Sequence, residues 1–234
     1  KNDEEKEVKI ENSRKKGNIN ILKVDKDDNK TTIEGVEFDL LDSTGKNIIK
    51  HVKTDKNGKA EIKNLDIGKY ILRETKTRKE YKIALEQNIT IEWGKTLNLT
   101  IENEKMKGKV KITKISEDDN LITGEVAGTP IANVKFEIYD DSGKLVDTLI
   151  TKADGIAISK DLVVGKYIVK EKETGEYYEI NENDFEVEIT KNGEVVGLTI
   201  SNKSKTPPPE KPKEETPKIE VPPIEPIKKL PVTG

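Results

Sequence analysis

Apolar and polar residues alternate with a period of two through most of this chain, and the alternation recurs in the same order twice. Side chains of a strand point to opposite faces in turn, so such segments predict half-buried strands rather than helices. In the first half the predicted strands lie near 18 to 25, 34 to 41, 47 to 53, 58 to 63, 68 to 75, 80 to 92 with a break, and 96 to 103. Asp42-Ser43-Thr44-Gly45, Asp55-Lys56-Asn57-Gly58 and Trp93-Gly94 separate them with residues that tight turns need. The second half repeats this with Asp141-Ser142-Gly143, Ala153-Asp154-Gly155 and Lys191-Asn192-Gly193. The stretch from Gly58 through Leu65, Gly68, Tyr70 and Glu74 has the spacing of Gly155, Leu162, Gly165, Tyr167 and Glu171 without a gap.

The alternation breaks its own rule at six places. Lys23 shares a face with Ile19 and Ile21, Glu74 with Tyr70 and Leu72, and Asn103 with Leu97, Leu99 and Ile101. Lys114 shares one with Val110 and Ile112, Glu171 with Tyr167 and Val169, and Asn202 with Leu198 and Ile200. A lysine on a core face is costly unless paired or neutralised, because a charge loses its water there. Lysine and asparagine can condense into an amide, with a carboxyl group to carry the proton. The plain alternatives are a strand-end lysine whose stem covers the core while its amine reaches water, a solvated glutamate, and an asparagine that ends a strand. Parity, order and repetition together favour the crosslink; an unreacted buried ion pair is the intermediate reading.

The repeat divides the 234 residues into two β-sandwich domains, 17–104 and 105–203. Residues 1–16 resemble the closing strand and linker of an upstream repeat, because Asn12 precedes Lys23 by the eleven positions that separate Asn103 from Lys114. Residues 204–229 are predicted to be an extended, partly polyproline-II stalk, since nine of the ten prolines lie between Pro207 and Pro231. Residues 230–234 read Leu-Pro-Val-Thr-Gly.

Composition narrows the chemistry. Ile (28) and Val (16) far outnumber Leu (14), which suits sheets and makes the predicted class all-β. Lys+Arg (42) nearly balance Asp+Glu (45), so no strong field points to nucleic acid or an anionic membrane. The absence of cysteine excludes disulfides, and a single His and single Met leave little for soft-metal or redox chemistry. No apolar run approaches the roughly 18 residues of a membrane span. Asp25, Asp27 and Asn29 have the alternation of a calcium loop without its later glycine and glutamate, and a solvated hairpin turn is the expectation there. His51 is expected at the surface, Trp93 is given no function, and the long loop from Ser116 to Asn133 is a segment that can carry binding or simply tolerate insertion. No metal, cofactor or small-molecule substrate is expected, and no nucleophile-base pair indicates an enzyme acting on other molecules.

The ordered set of Lys on the first strand, Gly-x-Tyr-x-Leu/Val-x-Glu in mid-domain and Asn on the last strand resembles the B-type repeats of collagen adhesins and related Gram-positive pilin domains. Over residues 17 to 203 the resemblance implies two tandem Greek-key, immunoglobulin-like (prealbumin-like) sandwiches. It also implies intramolecular isopeptide bonds from Lys23 to Asn103 assisted by Glu74, and from Lys114 to Asn202 assisted by Glu171. Burial would lower the lysine pKa and raise that of the carboxyl, and a neutral glutamate could donate to the asparagine oxygen and then shuttle the lysine proton. Leu230, Pro231, Thr233 and Gly234 match the LPxTG sorting signal, which implies sortase cleavage after Thr233, transfer to peptidoglycan, and a secreted protein displayed on the cell wall. The expected role is a structural stalk that projects an N-terminal region. The alternatives are a module that binds a host matrix protein, or a minor or basal pilin. A shaft subunit is disfavoured, because no Tyr-Pro-Lys motif is present and Thr77-Arg78-Lys79-Glu80 replaces the end of the pilin E-box.

Overall fold

The computed structural model describes residues 14–207. The readings of Asn12, the proline-rich segment and Leu230 to Gly234 lie outside them. The described residues are all-β and form two sandwiches of the same plan.

In the first, β1 (Lys16–Asp25) is the centre of a three-stranded sheet, flanked by β4 (Lys59–Asp66) and β7 (Thr96–Asn103). The facing sheet runs β3 (Ile48–Lys53), β2 (Glu37–Asp42), β5 (Gly68–Lys76) and β6 (Gln87–Ile91). The first and last strands are parallel neighbours, with Ile19 opposite Leu97, Lys23 opposite Ile101 and Asp25 opposite Asn103. Ile19, Ile21, Phe38, Leu40, Leu72 and Ile101 fill the space between the sheets.

The second sandwich repeats this. β8 (Lys107–Ser116) lies parallel to β15 (Val195–Asn202), and β10 (Leu145–Ile150), β9 (Lys135–Asp140), β13 (Gly165–Glu173) and β14 (Asp184–Ile189) form the opposite sheet. The partner of β8 on its other side is broken into β11 (Ile156–Ile158) and β12 (Leu162–Val163). Ser159 causes the break: its hydroxyl oxygen takes the Val110 amide at 2.9 Å, in place of a ladder carbonyl.

Two strand expectations need correction. The strand expected over 34 to 41 begins at Glu37, because the Thr54 hydroxyl accepts the Val36 amide and donates to the Ile33 carbonyl, holding this stretch by a side chain. Thr151 does the same for Val134 and Ile131. The stretch over 80 to 92 yields only β6, while Tyr81 forms an isolated bridge with Lys105.

Candidate functional site

The sheet pairing decides which groups meet. Lys23 and Asn103 stand on adjacent parallel strands of one sheet, and Glu74, opposite Phe38, reaches across from the other. Lys114, Asn202 and Glu171 occupy the same places in the second domain. All six side chains are buried: Lys23 and Lys114 are 0% exposed, Asn103 and Asn202 1%, Glu74 4% and Glu171 5%.

Lys23 Nζ donates to Asn103 Oδ1 at 2.6 Å and to the Ile101 carbonyl at 3.0 Å. Asn103 Nδ2 donates to Glu74 Oε1 at 2.6 Å and to the Thr77 hydroxyl at 2.9 Å. The other carboxylate oxygen, Glu74 Oε2, has no hydrogen-bond partner among the described residues and lies 3.4 Å from Lys23 Nζ. In the second domain Lys114 Nζ donates to Asn202 Oδ1, and Asn202 Nδ2 donates to Glu171 Oε1 at 2.6 Å and to Thr174 at 2.8 Å. Glu171 Oε2 is again without a hydrogen bond, 3.1 Å from Lys114 Nζ. Each carboxylate thus spans the amine on one side and the amide nitrogen on the other.

This orientation differs from the expectation that the glutamate faces the asparagine oxygen. The lysine has only donors to offer, so the asparagine oxygen turns to it, and the amide N–H is left to the glutamate oxygen. Burial draws the Lys23 ammonium down to about 8 against the opposing attraction of Glu74. Burial also lowers Lys114, again against the pull of its glutamate. A lysine that surrenders its proton this readily, within reach of a carboxylate oxygen and held against an amide, is arranged for acyl transfer.

Backbone packing fixes the lysine. Gly58 adopts φ +68° and sits so close to β1 that a Cβ would meet the Lys23 carbonyl oxygen at 2.6 Å; its own carbonyl accepts the Lys23 amide at 2.8 Å. Gly155 does the same beside Lys114 at φ +70°. The turn glycines therefore let the adjoining loop clamp the lysine-bearing residue.

The two threonines were not legible as site residues, although each lies three positions after its glutamate. A second cluster was also missed. Asp25, expected in a solvated turn, is fully buried: it accepts the amides of Asp27 and Asp28, the Tyr81 hydroxyl at 2.7 Å and Lys105 Nζ at 2.6 Å. Its oxygens are spent on these donors, and no cluster of His, Cys, Asp or Glu suited to a metal occurs among the described residues. His51 is exposed and pairs with Asp39 at 2.7 Å. Trp93 is 68% exposed with Lys15 above its ring. The loop from Ser116 to Asn133 folds on itself around Asn120, whose side-chain oxygen takes the amides of Ile122 and Thr123, and it leaves Leu121 and Val126 exposed.

The profile of a family described as SpaA, a prealbumin-like fold domain, matches residues 17–105 and again 108–204. The trypsin-resistant surface T6 protein of Streptococcus pyogenes serotype M6 is 33% identical over 81 residues, 35% of this chain and 15% of that protein. The collagen adhesin of Staphylococcus aureus is 34% identical over 99 residues, 36% of this chain and 8% of the adhesin. Among solved structures, the TIE protein of Bacillus anthracis superposes with a TM-score of 0.69 at 29% identity, covering 81% of this chain and 34% of that one. This chain thus spans only a small part of each of these longer proteins, a surface protein and an adhesin among them.

Proposed function

We propose that this chain, which belongs to the SpaA family of prealbumin-like fold domains, is a structural stalk segment and not an enzyme, in which each domain welds its first strand to its last. The bonds are Lys23 to Asn103 and Lys114 to Asn202, formed without an external enzyme and assisted by Glu74 and Glu171. One observation carries the reading: in both domains a fully buried lysine amine contacts an asparagine amide while an otherwise unpaired carboxylate oxygen waits beside the amine.

Parallel pairing of the two strands gives the bond a mechanical purpose. Tension entering at the start of β1 passes to Lys23 near its end, crosses the bond to Asn103 at the end of β7, and leaves the domain. The strands between carry none of it, so the domain cannot be drawn out beyond the part of β1 that precedes Lys23, residues 16–22. With Thr233 joined to peptidoglycan by a sortase, such a stalk would hold its N-terminal neighbour away from the wall under shear.

Intact mass spectrometry of the wild type and of Glu74→Ala and Glu171→Ala variants tests the reading. The wild type is expected to be lighter than its sequence by two ammonia molecules, and each variant by one. A wild type at full sequence mass refutes it.

The likeness to a collagen adhesin favours a second reading, a module that itself contacts matrix protein, with the loop from Ser116 to Asn133 as its contact surface. Retention of the two-domain chain on immobilised collagen, abolished by substituting Leu121 and Val126, would support it; free passage would leave the stalk.

A further inference from the structure

Building on the crosslink reading, we propose that Thr77 and Thr174 hold the departing amide nitrogen in place and mark the side on which ammonia leaves. The observation is independent of the lysine-glutamate pair. Each asparagine Nδ2 has two N–H groups; one goes to the glutamate, and the other goes to a threonine hydroxyl at 2.9 Å in the first domain and 2.8 Å in the second. The four residues from glutamate to threonine read Glu74-Thr75-Lys76-Thr77 and Glu171-Lys172-Glu173-Thr174. The two intervening positions differ in type between the domains, whereas the terminal threonine recurs with the same hydrogen bond.

In the reaction the Lys23 Nζ to Asn103 Cγ bond forms as the Cγ to Nδ2 bond breaks. The Lys23 ammonium gives up two protons through the Glu74 carboxyl: one completes Nδ2 as ammonia, and the other leaves with it, so that the carboxylate is restored. Nothing else is consumed. Two acceptors at one nitrogen keep the amide from rotating, which holds Nδ2 against the glutamate and presents the carbonyl to the amine. Asn103 is buried, while Thr77 is half-buried just after the end of β5; Asn202 and Thr174 are related in the same way. The threonine hydroxyl thus joins the buried leaving group to a half-buried residue, and this is the side on which the nitrogen has a polar contact nearer the surface.

The test follows crosslink formation with time in full chains folded by dilution from denaturant after assembly under denaturing conditions. Peptide mapping reads each domain separately. Thr77→Val keeps the shape and removes the acceptor, and the first domain is expected to close roughly tenfold more slowly, the loss of one buried hydrogen bond in the reacting state. The second domain should keep its rate, and Thr77→Ser should restore the first. Closure of the valine variant at the wild-type rate overturns the proposal. So does a serine variant as slow as valine, which would mark a packing effect. A wild type that never loses ammonia would instead refute the crosslink on which the proposal rests.

Discussion

Combining Lys23→Met with Glu74→Gln removes the first crosslink while leaving no buried charge behind. The Lys23 and Glu74 side chains are 0% and 1% exposed, and once the bond has formed the lysine nitrogen is an uncharged amide, so exchanging the two for neutral groups of similar volume leaves no buried charge unpaired and is close to neutral for local packing. The introduced carboxamide oxygen still accepts from Asn103 Nδ2, and the main local cost is the Asn103 oxygen without its lysine, about 1 kcal/mol. What is lost is the covalent loop. Lys23 and Asn103 are 80 positions apart, and closing such a loop restricts the unfolded chain by about 4.5 kcal/mol on the entropic account developed for disulfides. For a domain of this size each kcal/mol moves the midpoint by about 4–8 °C, so loss of the loop should lower the melting of the first domain by roughly 18–36 °C. Differential scanning calorimetry of the two-domain chain reads this directly, because the second domain keeps its bond and its transition serves as the internal reference. A first transition displaced by less than about 5 °C would refute the reasoning, since the bond would then contribute about 1 kcal/mol or less.

The same geometry fixes the pH dependence of maturation and of acid stability. Below about 8 the first triad keeps the proton that Lys23 shares with Glu74 and that must leave with ammonia, so the rate should be flat there and fall roughly tenfold per pH unit above. Peptide mapping of chains folded at different pH checks this, and a rate that climbs through 8 would mean that the lysine proton goes to solvent instead of the carboxylate. Burial alone would raise Asp25, but hydrogen bonds from Lys105, Tyr81 and the Asp27 amide outweigh it and hold the group at about 2, down from 3.8. Its stabilisation, about 2 kcal/mol, is present above the unfolded value and is lost as pH falls from about 4 toward 2. In the Lys23→Met, Glu74→Gln background, thermal melts over this range should show an acid-dependent loss that Asp25→Asn removes; identical pH profiles with and without the aspartate would contradict it.

The inward parity of Lys23, Glu74 and Asn103 could be read from the chain because a strand with one buried face has a strict period of two, and Ile19, Ile21, Leu72 and Ile101 mark that face. Turn glycines such as Gly58 were legible for a similar reason, since a left-handed residue between two strands has few choices. Side chains that replace ladder bonds were not. Thr54 delays β2 and Ser159 splits the strand beside β8, and a hydroxyl in either position looks like any polar residue of a strand. Asp25, Tyr81 and Lys105 meet across 56 and 80 positions at the ends of irregular segments, where no periodicity carries information. Thr77 and Thr174 lie just beyond the inward alternation of their strands. The amide orientation at Asn103 and Asn202 follows from which neighbours accept and which donate, a property of the assembled site.

Fragmentation mass spectrometry of a protease digest of the mature two-domain chain tests the weld most directly. The account predicts two branched peptides, one joining the segment around Lys23 to that around Asn103 and the other joining Lys114 to Asn202, each lighter by one ammonia than the sum of its parts. Recovery of linear peptides with both lysine amines free would contradict it.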